Sequence, residues 1–255
     1  MICPLHTPFE QFSIQLDVQS ISPSQLSIAV FDPSRPFTFF LKRKVSFQDS
    51  TRRTLEIPVP LRSEKMQLLI TDHKGDDSIR INSLEIKPLN KEDLWASGQQ
   101  HDFMKFANQF ALRAGYNPPG FYRDKSNRFY IQYVERIRNQ LGFPLITPAR
   151  IQRGRPFIQI AKQQFIHYSI PVRVAILAHE GCHYFLDSRS ETEADLCALR
   201  YYLQAGFPKI EAVYAMTKVF RFFDAPLSKQ QVLRAKAAIE YIKQYRNDNL
   251  TISQA

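Results

Sequence analysis

Apolar and polar positions alternate with a period of two through the first third of the chain. FSIQLDV at 12–18 sets the pattern. LSIAVF at 26–31, FTFFLKRKVSF at 37–47, TLEIPV at 54–59, MQLLIT at 66–71 and IRINSLEI at 79–86 follow at regular spacing. Each is a candidate half-buried strand. Turn-forming clusters separate them: Ser22-Pro23-Ser24, Asp32-Pro33-Ser34, Asp49-Ser50 and Lys74-Gly75-Asp76-Asp77. Short strands at even intervals predict a small β-sandwich over residues 1–90. None of its residues has ligand or nucleophile spacing. Asp72, Asp76 and Asp77 read as a solvated hairpin tip, because the loop lacks the spacing of a calcium motif.

The period changes after a connector at 91–100. In HDFMKFANQFALRAG, Phe103, Phe106, Ala107, Phe110 and Ala111 share one helical face ahead of Gly115. Residues 121–137 fit either a hairpin or a single strand, and Pro144 and Pro148 bracket an irregular piece. FIQIAKQQF at 157–165 alternates like a strand. The run from Pro171 to residue 186 is apolar on every side and predicts a helix buried all round, with Ser169 as cap and Pro171 in the first turn. Within that run Gly181 leaves room for a close neighbour. Ser190 followed by Glu193 is a capping-box pattern opening a second helix, which Gly206 and Pro208 stop. Two more helices are expected at about 209–223 and 228–245, then a polar tail at 246–255. The expected fold class is therefore α+β, an N-terminal β-sandwich followed by a mainly helical domain at 101–255 with a short sheet.

Composition changes this picture little. The 255 residues are 44% hydrophobic and 23% charged, which is ordinary for a globular chain. The net charge of +10 raises the question of a polyanionic partner. The charge is spread along the chain, with its densest runs at Lys42-Arg43-Lys44 and Arg52-Arg53, and reads as solvated surface; a nucleic-acid partner is not the expectation, though the charge leaves it open. Three cysteines, Cys3, Cys182 and Cys197, do not make a disulfide framework and fit a reducing compartment. The N-terminus lacks the basic and apolar regions of a signal peptide, and no apolar run reaches the ~20 residues of a membrane span. Cytoplasmic residence, or packaging in a particle assembled there, is the expectation.

The candidate chemistry lies in the buried helix, at His179-Glu180-Gly181-Cys182-His183. Helical positions four apart lie one above the other, so His179 and His183 can face one metal ion. Glu180 is turned about 100° from them, within reach of a water at that ion. A catalytic zinc takes three protein ligands. The next helix offers Glu191 and Asp195 on one face after only seven intervening residues, a connection short enough to make the helices antiparallel neighbours. Glu191 is the expected third ligand, with Asp195 holding the outer nitrogen of a ligand histidine. The reverse assignment, Asp195 on the metal and Glu191 in support, is the alternative. Tyr202, on the same face, is a candidate oxyanion stabiliser, as are His167 and Tyr168 just before the metal helix. Cys182 and Cys197 read as buried structural residues.

HEGCH followed by ETEAD resembles the zincin metallopeptidases, in particular the gluzincin type with H-E-x-x-H and a downstream E-x-x-x-D. The resemblance covers about residues 150–205. It implies a zinc-dependent endopeptidase acting on a peptide or protein, with His179, His183 and Glu191 on Zn2+, Glu180 as general base to a zinc-activated water, and Asp195 as orienter. It also implies a strand shortly before the metal helix, here 157–165, at whose edge an extended peptide binds. The gap before Glu191 is shorter than in many gluzincins. More loosely, the C-terminal half resembles phage-associated proteins carrying a metallopeptidase domain. The β region would then position the enzyme or bind a protein partner. The competing reading is a non-catalytic, particle-associated binding protein whose helices are stapled by zinc.

Overall fold

The protein is described by a computed structural model over residues 1–75, 78–89, 98–152, 154–220 and 228–245. Both helices and strands are abundant, and the chain is an α+β protein. The first strands are β1 (Ile2–Pro4), β2 (Phe12–Ser20), β3 (Ser24–Phe31), β4 (Phe39–Phe47), β5 (Arg52–Val59), β6 (Gln67–Asp72) and β7 (Ile79–Pro88). They form two antiparallel sheets, ordered β1-β6-β3-β4 and β5-β2-β7. Alternation sets the register. Phe12, Ile14, Leu16 and Val18 of β2 are fully buried, and Leu26, Ile28, Val30, Leu68 and Ile70 line the inner face of the other sheet. All belong to one contiguous apolar core, as in a sandwich. The short β1, which the sequence reading did not anticipate, pairs with β6 at the sheet margin. Asp76 and Asp77, residue 90, and residues 91–97 of the expected connector lie outside the described residues.

The second half begins with α1 (Gly98–Arg113), whose buried side carries Phe103, Ala107, Phe110 and Ala111 of the expected stripe together with Met104, while Phe106 is only partly buried. The ambiguous segment is a hairpin of β8 (Gly120–Arg123) and β9 (Tyr130–Val134). Its turn is organised by Asp124, whose carboxylate accepts the N–H groups of Ser126, Arg128 and Phe129. Strands β10 (Ala149–Gln152) and β11 (Phe157–Ala161) complete a sheet ordered β10-β11-β9-β8, with β11 parallel to β9 and antiparallel to β10. Residues 162–165, expected to extend the strand, turn instead into the short helix α2 (Lys162–Phe165).

Helix α3 (Ile170–Phe185) runs through the middle of this half, against α1, β10 and β4. Helix α4 (Glu191–Gln204) lies beside it. Helix α5 (Lys209–Tyr214) also touches α3 and widens into a π turn at Ala215–Val219, where Thr217 Oγ1 donates to the Val213 carbonyl at 2.7 Å. The expected end of that helix, residues 221–223, and the tail at 246–255 fall outside the described residues. Helix α6 (Lys229–Gln244) opens with a complete capping box between Ser228 and Gln231.

The neighbour for which Gly181 leaves room is Phe103 of α1: a Cβ on Gly181 would stand 2.3 Å from its ring. Arg173 departs from the expected all-apolar helix. Its guanidinium is fully buried and donates to four backbone carbonyls, those of Phe165, Ala111, Phe37 and Ile166. Ala111 lies in the last turn of α1 and Phe165 ends α2, so the cation sits where helix dipoles are negative. Phe37 belongs to the sandwich and holds a φ of 53°. A second tie joins the halves at Arg43, whose guanidinium pairs at 2.8 Å with the fully buried Glu211 of α5 and lies over the Tyr214 ring. Arg43 thus leaves the basic run of β4 and faces inward. Ser169, the expected cap of α3, makes no side-chain cap and donates to Glu211 instead.

Candidate metal centre

The C-terminal half of α3 and the first turn of α4 both line a cleft of about 410 Å³. His179 and His183, one turn apart, bring their Nε2 atoms within 3.2 Å of each other. Glu191 points at both, with Oε2 at 3.4 Å from His179 Nε2 and Oε1 at 3.5 Å from His183 Nε2. The three expected ligands therefore come together.

The outer nitrogens determine what the inner ones offer. His183 Nδ1 lies 2.9 Å from the Ser188 carbonyl. A carbonyl only accepts, so Nδ1 carries the proton and Nε2 presents a lone pair. His179 Nδ1 lies 2.9 Å from Asp195 Oδ1, off the ring's N–H line, and a carboxylate again favours the proton on that nitrogen. Two lone pairs and a carboxylate then converge with no hydrogen between them, an arrangement that calls for a cation. Ligand atoms about 2.0–2.1 Å from a tetrahedral zinc stand about 3.3 Å apart, close to the separations here. Formal charge points the same way. Glu180, Glu191 and Asp195 surround two neutral imidazoles, and Arg234 supplies one positive charge in contact with Glu191 and Asp195. Three negative charges against one positive leave −2, which one divalent cation would balance.

Protonation directions reflect the same crowding. Burial disfavours the charged form of His179, but Asp195 and Glu191 outweigh it and lift its pKa to about 9. Contact with Glu191 raises His183 despite burial, and the two histidines hold Glu191 far below the usual carboxylate range. Burial opposes ionisation of Asp195, yet Arg234 and His179 hold it low. Burial pushes Glu180 up, against the pull of the two histidines.

Asp195 stands apart from the inner nitrogens of the histidine pair. It lies on the outer side of His179, with Oδ2 accepting Arg234 Nε and Oδ1 accepting Arg234 Nη2 at 2.8 Å. Both oxygens are engaged away from the inner nitrogens, which leaves Glu191 as the carboxylate facing the histidine pair. Glu193 takes half of its expected capping role. Ser190 Oγ accepts the Glu193 N–H, while the Glu193 carboxylate accepts the Ser188 hydroxyl and so steadies the turn that orients His183.

Tyr202 is a correction. It is fully buried, donates to the Pro208 carbonyl at 3.0 Å and stacks on Phe207, so it is no oxyanion stabiliser. It lies eleven positions beyond Glu191. That keeps it on the same helical face but carries it roughly 16 Å along the axis. His167 packs edge-on against Phe37, Tyr168 is half-buried, and neither lines the cleft. The expected peptide-binding edge is also corrected. The strand at 157–161 lies inside its sheet, and β10, at the sheet's end, borders the cleft. The Glu180 carboxylate accepts the Ile151 N–H from that strand.

The cysteines differ from expectation as well. Cys182 and Cys197 form a disulfide between α3 and α4, leaving Cys3 as the free thiol. Two further residues went unnoticed in the sequence. Phe220 stacks on the His179 ring at 4.5 Å. Arg234 stands four and eight residues before Ala238 and Ile242, the buried positions of α6, so its signal was a cation on a core-facing stripe. Compared with protein-family models, curated proteins and solved structures, the chain matches none.

Proposed function

We propose that the chain is a zinc-dependent metallo-endopeptidase of the gluzincin type, with His179, His183 and Glu191 as the residues that hold the ion. Zinc at that position supplies Lewis acidity, polarising a carbonyl and acidifying a water. Asp195 and Ser188 keep the two imidazoles in the ligating tautomer. Glu180 lines the cleft beside them and is placed to accept a proton from water and return it to the leaving amine. An extended peptide or protein segment fits the free edge of β10, where main-chain pairing aligns it with the histidines.

The observation that carries this reading is Glu180. A site that only staples helices has no use for a buried carboxylate beside its ligands. The Cys182–Cys197 bond already joins α3 to α4, which weakens the reading of a zinc-stapled structural protein. No helix among the described residues is long and apolar enough to cross a membrane. Work in the cytoplasm, or in a particle assembled there, remains part of the proposal, although the disulfide is better kept in oxidising surroundings. The sandwich, fastened through Arg173 and Arg43, would dock a protein partner. Nothing beyond net charge favours nucleic acid. Glu180→Gln tests the proposal in a peptide-cleavage assay with metal analysis alongside. The variant should keep its zinc and lose hydrolysis by at least about 100-fold; cleavage at the wild-type rate would refute the enzyme reading.

A further inference from the structure

We infer that Arg234 is the positioning residue of this centre, a two-armed clamp that fixes Glu191 and Asp195 for metal capture; the inference rests on the metal reading above. The guanidinium reaches the site from α6, far along the chain from the motif. Its Nε and Nη2 grip both oxygens of Asp195, and its Nη1 lies 3.1 Å from Glu191 Oε2. One planar group thereby sets the angle between the carboxylate facing the inner nitrogens and the carboxylate facing the outer nitrogen of His179. The arginine side chain is only 10% exposed, and its guanidinium lies over Phe220, the ring that stacks on His179. The clamp, both carboxylates and one imidazole therefore pack as a unit.

The choice of arginine has a physical reason. Lysine supplies a point charge on a flexible stem, whereas the guanidinium offers donors in a fixed fork that can serve two carboxylates in different directions. Without the fork, Glu191 and Asp195, four residues apart on one helix face, repel each other. Glu191, half exposed, would then turn outward into the cleft.

Removing the charge and removing the fork push metal affinity in opposite directions. A lost cation makes the site more attractive to a dication, and lost orientation makes it less so. Arg234→Lys separates the two because it keeps the charge. Zinc dissociation constants, measured by chelator competition on wild type and Arg234→Lys, should differ by about 10- to 100-fold, with weaker binding in the variant. The cobalt-substituted variant should show a changed ligand-field absorption spectrum. Arg234→Met, which lacks both charge and fork, should likewise show the changed spectrum. Arg234 as a tie between α6 and α4 alone would lower the unfolding temperature and leave both metal readouts unmoved. Arg234→Lys binding zinc within about twofold of wild type, with an unchanged cobalt spectrum, overturns the clamp while the metal reading stands. Wild-type protein that binds no zinc overturns the metal reading and the clamp with it.

Discussion

At the N-terminal end of α3, Arg173 is fully buried and its guanidinium is satisfied by four carbonyls. Burial lowers its pKa only to about 10, so it stays charged at neutral pH. Among the described residues no carboxylate pairs with it, and the group joins the sandwich, α1 and α2 to one helix. Two turns further along α3, His179, His183 and Glu191 face one another, acceptor to acceptor, in the lining of a cleft. The same helix thus carries a closed polar knot and an open one. Polar groups whose partners all lie within the fold hold the fold together. Polar groups that converge acceptor against acceptor are where a binding function is to be sought.

The contrast can be broken at either end. The largest expected effect is at the open end, where Glu180→Gln should remove hydrolysis while leaving the unfolding temperature near that of wild type. Arg173→Met comes next. It orphans several buried carbonyls and should cost about 3 kcal/mol or more in chemical denaturation, without changing zinc stoichiometry in protein that still folds. Zinc loss in folded Arg173→Met would show that the two ends are not independent. The smallest is Tyr202→Phe, which removes one hydrogen bond to Pro208. It should cost about 1 kcal/mol and leave kcat and KM unchanged, whereas a fall in kcat alone would restore Tyr202 to the site.

Elements that follow from local pattern were legible in the sequence. Strands β2 to β7 show period-two alternation, α3 is apolar throughout its middle, and Ser190 marks its helix as a cap. The clustering of His179 with His183 was legible because helical spacing alone brings them together, and the short connection to α4 pointed to Glu191 beside them. What escaped depends on partners distant in sequence. β10 is four residues of mixed polarity that become a strand by pairing with β11 and border the cleft by fold. Arg173, set between apolar neighbours, has no local signal for the carbonyls that receive it. Arg234 meets Asp195 across 39 positions. Cys182 and Cys197 point away from the ligand face of their helices, and their pairing depends on how α3 packs on α4. Tyr202 failed for the opposite reason, since its shared face was read correctly but its distance along the helix was not weighed.

Zinc stoichiometry in the purified protein, determined by elemental analysis beside His183→Ala, tests the central claim most directly. One zinc per wild-type chain and a marked loss in the folded variant are the expected result. Wild type free of zinc after supplementation, or His183→Ala retaining one equivalent, would contradict it.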